Sequence, residues 1–402
     1  MATLKLSLII VFLVIWVKRK LDLGLGIILG SIILGLITMQ WDATLKIVAA
    51  TSYKWATVDM ILSLIMIFYF IEIWQKSGKT NILVNSLNHI FGGSPAVAVI
   101  PPAILGMLPM IGGAVLSAPF VSESKESKNF STSKKAFLNY WFRHLWEYLL
   151  PTYPGIIISA GLIGISYGKI FLLNVPVSIA AILLGFLFGM PGVNWFKKKT
   201  DKSLADVDKK QFFYSILPIS VIIISTILIK GALLISLIIT IILMLIFYKF
   251  SIAQSYTMFK KTFKIAIVFI IWGVMSFRGV MEASGIIPQL VQEFTDWHVP
   301  VLLLLILLPF IIGFMTGVTQ AFVGISFPLL LGYLKADNGF FTLAYISGFL
   351  GVMLSPMHYC IIVNKEYFNA TWKEVYKPLV LPCVIILIFT LVLVELRSKY
   401  FP

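Results

Sequence analysis

Arg143, His144 and Glu147 fall within a run that reads Asn139-Tyr140-Trp141-Phe142-Arg143-His144-Leu145-Trp146-Glu147-Tyr148-Leu149-Leu150-Pro151-Thr152-Tyr153-Pro154-Gly155. Arg carries a permanent charge on a planar fork of donors that matches a carboxylate. His and Glu can take up and release a proton. Arg143 and Glu147 are four apart, which puts them on one face of a helix. The pair reads in two ways. It is a structural ion pair, or Arg143 holds an anionic substrate while Glu147 or His144 carries a coupling proton. Thr152 adds a hydroxyl, and Pro151 and Pro154-Gly155 interrupt the helix just beyond. A second run, Gly348 to Cys360, ends in Leu354-Ser355-Pro356-Met357-His358. Ser355 could touch substrate. His358 reads either as a packing residue or as a second proton carrier.

These groups gain weight from what surrounds them. The chain has 402 residues, of which 59% are hydrophobic and 12% charged, with mean hydropathy +0.97. Soluble domains carry about 25% charged residues, so a water-soluble fold is excluded. Apolar segments recur at 4–17, 21–38, 56–75, 170–190, 211–229, 231–249, 264–281 and 374–396. Two more, 136–165 and 340–363, are interrupted by Pro, Gly and polar residues. Entering a membrane near Ala136, Arg143 would lie roughly 10 Å along its helix. Ionisable residues at such depth are costly and face a cavity or a partner. The net charge of +15 belongs to cytoplasmic loops rather than to nucleic-acid binding. Leu4–Val17 precedes Lys18-Arg19-Lys20, the reverse of a signal peptide, and reads as a retained first helix. The two cysteines, Cys360 and Cys383, suggest neither a disulfide framework nor a zinc site.

Two stretches, 95–121 and 300–333, are apolar but rich in Gly and Pro, and shorter than the roughly 40 residues that two crossings need. Read as re-entrant hairpins with the N-terminus outside, they leave ten spans. The loop Lys and Arg then divide 22 inside to 8 outside, with Arg143 and Arg278 inside spans. Read as single crossings they give 10 inside and 20 outside, so the positive-inside rule favours the hairpins. Both termini then lie outside a plasma (inner) membrane. The tips read Pro109-Met110-Ile111-Gly112-Gly113-Ala114 and Thr316-Gly317-Val318-Thr319-Gln320-Ala321. At such a tip the N-terminus of one half-helix suits an anion, and the C-terminal carbonyls of the other suit a cation such as Na+. Gly112, Gly113, Thr316, Thr319 and Gln320 are therefore candidate substrate contacts, with a possible Na+ near Gly112 and Thr316.

The chain also repeats. At a shift of 207, Pro102, Ile104, Gly106 and Ala114 fall on Pro309, Ile311, Gly313 and Ala321, and Ser77-Gly78 falls on Ser284-Gly285. Five spans per half is an odd number, so the halves would be inverted, the architecture of secondary transporters. The expected organisation is a first repeat over 1–190, a basic cytoplasmic linker over 191–210 and a second repeat over 211–402. The expected fold is an all-α polytopic membrane protein, with a re-entrant hairpin and a broken helix in each repeat. Arg278/Glu282 and Glu72/Lys76 read as snorkelling pairs at the span ends.

Pro102 through Pro119, Phe142-Arg143-His144-x-x-Glu147 and Leu354-Ser355-Pro356-x-His358 resemble an uncharacterised bacterial and archaeal integral-membrane family. That family is placed in the ion transporter superfamily, alongside citrate, gluconate and dicarboxylate carriers. The resemblance spans nearly the whole chain. It implies paired hairpins and broken helices, a homodimer, and elevator-type transport of organic anions with sodium or protons. The Ser-Asn-Thr signature of the dicarboxylate branch is missing: the tips read Gly112-Gly113-Ala114 and Val318-Thr319-Gln320. The expectation is therefore a carrier of a small carboxylate-type anion, with protons ahead of sodium as the coupling ion. A cation/proton antiporter using His144 and Glu147 is the alternative. An enzyme is not expected: H-E-x-x-H is absent and Gly324-Ile325-Ser326-Phe327-Pro328 is no nucleophile elbow. No cofactor beyond Na+ is expected, and no nucleic-acid partner.

Overall fold

The computed structural model describes residues 2–91, 95–110, 113–123, 130–190 and 209–400. Among them every regular element is helical. The first half runs α1 (Ala2–Lys18), α2 (Leu23–Thr38), α3 (Trp41–Tyr53), α4 (Trp55–Lys76), α5 (Lys79–Phe91), a 3-10 turn (Pro95–Ala98), α6 (Ile100–Leu105), α7 (Gly113–Glu123), α8 (Thr132–Arg143), α9 (Pro154–Ile163) and α10 (Tyr167–Gly189). The second half runs α11 (Lys209–Leu228), α12 (Ala232–Phe247), α13 (Ile252–Thr262), α14 (Ile265–Ala283), α15 (Ile286–Asp296), α16 (Val301–Thr316), α17 (Thr319–Ala336), α18 (Asn338–Leu354), α19 (Tyr359–Tyr367) and α20 (Trp372–Tyr400). Residues 191–208 of the expected linker, Gly112 and the loop lysines Lys125, Lys128 and Lys197-Lys198-Lys199 lie outside the described residues.

Six helical stretches are long and apolar enough to cross a bilayer alone, or seven if α15 and α16, which meet at 116°, form one bent span. The chain is thus a polytopic α-helical membrane protein. α17 and α18 are apolar all round and buried from Ala321 to Leu331 and from Phe341 to Met353. A helix with no polar stripe has to be surrounded by others. α12 instead turns Ile235, Ile239, Ile242, Leu243 and Ile246 outward, as a lipid-facing helix does.

The elements pack in exchanged pairs. α2 lies on α14 and α12 on α4; α1 lies on α15 and α11 on α5; α7 lies on α19 and α17 on α9. The repeated Pro-x-Ile-x-Gly matches in its packing as well as its sequence. A Cβ on Gly106 would collide with the Arg143 carbonyl of α8, and one on Gly313 with the Gly348 carbonyl of α18. Each matched glycine lets a hairpin half-helix press on the backbone of its broken helix.

Each break contains a residue before a proline, which sterics push out of the helical region. Tyr153 (φ −87°, ψ 132°) precedes Pro154, and Ser355 (φ −72°, ψ 127°) precedes Pro356. In the first break the helix has already ended at Arg143, and 144–149 form turns.

Three expectations need correction. The stretches of α3, α5, α13 and α15, which lie between the apolar segments and for which no element is expected, are helices; α15 shows a helical period in Ile286, Leu290 and Phe294 that was legible in the sequence. Glu72 does not pair with Lys76 but with Lys261 of α13, at 2.8 Å, a partner 189 residues away. Arg143 and Glu147 form no ion pair, because α8 ends at Arg143 and the i, i+4 face they would share does not exist. Arg278 and Glu282 do pair, at 3.1 Å, and Lys335 joins Glu282 at 2.9 Å.

Candidate functional site

The loop that follows α6 leaves its carbonyls without helical partners, and inside the helical bundle each must be satisfied from within the protein. The break after α8 does this. Arg143 Nη1 donates to the Leu105 carbonyl (3.3 Å) and Nη2 to that of Met110 (3.1 Å). Trp146 Nε1 donates to Ala103 (2.6 Å), Thr152 Oγ1 to Met107 (3.4 Å) and Tyr153 Oη to Gly106. Four side chains thus cap five carbonyls of the first tip. The carbonyl cradle expected to suit Na+ is filled by these donors, one of them cationic.

Arg143 is 4% exposed, and no carboxylate pairs with it among the described residues. Its guanidinium lies against Gly113, the first residue of α7, where a Cβ would overlap it. A fixed cation and the positive end of a helix dipole therefore converge on the first tip. Behind them a buried amide network joins three helices. Asn139 Nδ2 donates to the carbonyl of Ala114 (3.0 Å) and to Asn364 Oδ1 (2.8 Å), and Ser117 Oγ donates to Asn139 Oδ1 (2.6 Å). Asn364 Nδ2 closes it on the Ala136 carbonyl (2.8 Å).

The second tip is held differently. α16 ends on Gly317 at φ +66°, a left-handed cap suited to glycine. The Gly317 carbonyl accepts from Nδ1 of His358 (2.8 Å). Thr316 Oγ1 donates to Ile312 of its own helix (2.7 Å), and Thr319 Oγ1 to Gln320 Oε1 (3.3 Å). Ser355 Oγ accepts from the Met357 amide (3.2 Å) within the break. Thr316, Thr319, Gln320 and Ser355 thus bond locally. Thr319 also packs beside Gly155 and Tyr345.

The two breaks meet at the histidines. His144 Nε2 is 3.2 Å from His358 Nε2, with the rings at 65°. His144 Nδ1 bonds to the Tyr140 carbonyl (2.6 Å). Glu147 Oε1 lies 3.8 Å from His144 Nε2, and Cys360 Sγ joins the two imidazoles within 4.8 Å. Cys360, set aside on the sequence, belongs to this cluster. Its partners come from helices that no spacing motif connects, so only the fold reveals it. Arg143 reaches the Met110 carbonyl of one tip, and its chain neighbour His144 meets His358, which reaches the Gly317 carbonyl of the other.

None of the curated proteins matches this chain. Residues 2–396 match the family model described as "Protein of unknown function (DUF401)". With nearly its whole length covered, and with the apolar helical bundle expected of an integral-membrane family, the chain belongs to the DUF401 family.

Proposed function

We propose that this protein is a secondary active transporter of a small organic anion of the carboxylate type, driven by a gradient of H+ or Na+. The observation that carries this reading is Arg143. It is a buried guanidinium that pairs with no carboxylate among the described residues, packed where the α7 N-terminus begins. Such a charge is costly to bury uncompensated, and an anionic substrate at the tip would compensate it. Three of its five N–H groups remain beyond the two given to Leu105 and Met110.

The resemblance to the ion transporter superfamily supports the same reading, as do the exchanged helix pairs, which two inverted repeats would produce. In this view the tips and breaks form the substrate-carrying body, and an elevator-like movement within a homodimer exposes them alternately to each side.

The direct test is a thermal-shift screen of the purified protein against carboxylates, amino acids and sugar acids, since a ligand of the folded state raises its apparent stability. At least one carboxylate should stabilise the wild type, and Arg143→Lys should lose most of that shift, because a point charge cannot reproduce a bidentate fork. Proteoliposomes loaded with that anion and given a sodium or a pH gradient separately identify the driving ion. An Arg143→Lys variant with wild-type affinity would remove the anion site from this position. Cysteines substituted at Lys128 and Lys198 should label only from the cytoplasm, and one at Asp296 only from outside. Labelling of Lys128 and Lys198 on opposite faces would remove the first hairpin.

A second reading, cation/proton antiport without an organic substrate, is favoured by the contact between His144 and His358 beside Glu147. It predicts ion exchange in proteoliposomes free of any organic anion.

A further inference from the structure

His144 and His358 face each other in a way that two neutral imidazoles alone do not favour. A carbonyl oxygen can only accept, so the bonds to Tyr140 and Gly317 place the hydrogen of each ring on Nδ1. Both Nε2 lone pairs then point at one another across 3.2 Å. Two acceptors at that separation need a shared hydrogen or a cation, and the Cys360 thiol, hydrogen-bonded to His144, brings a third ligating atom to the same place.

We propose that His144, His358 and Cys360, with Glu147 as a fourth donor, form a binding site for a d-block cation of the Zn2+ class. The spacing fits. Tetrahedral zinc with Zn–N of about 2.0–2.1 Å sets two nitrogens about 3.3 Å apart, and with Zn–S of about 2.3 Å sets nitrogen and sulfur about 3.6 Å apart. The nitrogens are 3.2 Å apart, and Cys360 Sγ lies within 4.8 Å of both, so a small displacement of the thiol completes three ligands. Glu147 Oε1, 3.8 Å from His144 Nε2, can supply the fourth.

The supporting bonds have the form a metal site requires. A ligating histidine ordinarily gives its other N–H to a carbonyl or carboxylate, which fixes tautomer and ring orientation, and both histidines do so here. Imidazole and thiolate together select borderline and soft cations over Na+, Mg2+ or Ca2+. Binding displaces the thiol proton to solvent. The resulting thiolate and the Glu147 carboxylate neutralise the ion's two charges, and the Arg143 guanidinium is turned to the first-tip carbonyls. Met357 and Tyr359 are 51% and 55% exposed, so the segment carrying His358 and Cys360 is reached from the surface. Because His144 belongs to the first half and His358 and Cys360 to the second, a bound ion would tie the two breaks together. The proposal requires no transport step and stands or falls separately from the transporter reading.

Titration of the full-length protein in detergent with Co2+, under a non-thiol reductant, tests it. The wild type should bind one equivalent, with a thiolate-to-cobalt charge-transfer band in the near ultraviolet and visible bands of tetrahedral intensity, and Zn2+ should displace the cobalt. Cys360→Ser should lose the charge-transfer band, and Cys383→Ser should keep it. His144→Gln and His358→Gln should each weaken binding by more than the roughly 10–100-fold cost of losing a supporting hydrogen bond. Zn2+ protection of Cys360 from maleimide in the folded wild type needs no variant and should be complete at one equivalent. A wild type without the charge-transfer band, a band that survives Cys360→Ser, or Cys360 labelling unaffected by Zn2+ would overturn the site.

Discussion

The two breaks share a proline-preceding residue and do different work. In the first, Tyr153 before Pro154 starts the second half-helix; in the second, Ser355 before Pro356 ends the first half-helix; and each break fastens the tip of its own hairpin. The first does so with four side chains on five carbonyls, Arg143 supplying two of the bonds. The second does so with one imidazole, His358 on Gly317, and with a left-handed glycine that closes the helix through its own backbone. An element that repeats in backbone need not repeat in chemistry. The fixed positive charge stands on one side only, which makes the first tip the anchored and charged one. The second is the lightly held one, and local opening is drawn from such weakly fastened segments.

The largest expected effect that tests this contrast is at Arg143. Arg143→Gln removes the two charged hydrogen bonds to the Leu105 and Met110 carbonyls, which keep only long backbone bonds from Leu108 N–H (3.4 Å) and Gly113 N–H (3.3 Å); at about 1.5–3 kcal/mol for each bond to a charged group, unfolding in detergent should show a loss of about 3–6 kcal/mol. Glu147→Gln should change stability little, and the double variant should be no better than Arg143→Gln alone. Recovery in the double variant would restore the private ion pair and weaken the contrast.

A smaller effect should appear equally in both halves. Gly106→Ala and Gly313→Ala each push a methyl group into a backbone carbonyl of the facing helix, an overpacking that costs about 1–3 kcal/mol. Matched losses in thermal unfolding would show the two glycines doing one job; a loss confined to one half would separate them.

The smallest effect should be at the second tip. His358→Gln removes one neutral hydrogen bond to Gly317, worth about 0.5–1.5 kcal/mol. Its expected mark is faster amide hydrogen exchange around 316–319 with little change in global stability. A loss as large as that of Arg143→Gln would mean that both tips are anchored alike.

Much of this architecture was legible before any coordinates. Apolar runs mark α1, α2, α4, α10, α11, α12, α14 and α20, of which α4, α10, α11, α14 and α20 are long enough to cross a bilayer alone, because such a helix must satisfy its backbone internally and cover it with apolar side chains, a constraint written locally in the chain. The end of α18 and the start of α9 were legible for the same kind of reason, since Pro356 and Pro154 act on their immediate neighbours; the end of α8 at Arg143, ahead of both Pro151 and Pro154, was not. The amphipathic α3, α5, α13 and α15 were passed over because they lack the length of a span.

What the sequence could not determine was partnership. Arg143 and Glu147 looked paired at four residues' spacing, but that spacing means contact only inside a continuous helix, and α8 stops at Arg143. The partners of Arg143 are main-chain carbonyls, which leave no trace in residue identity. Glu72 finds Lys261 across 189 residues, and His144 finds His358 across 214. Composition, span positions, charge bias and helix breaks follow from short-range and solvent-driven physics, so they can be read along the chain. The meeting of His144, Glu147, His358 and Cys360 depends on how two halves interlock, and only the tertiary structure decides it.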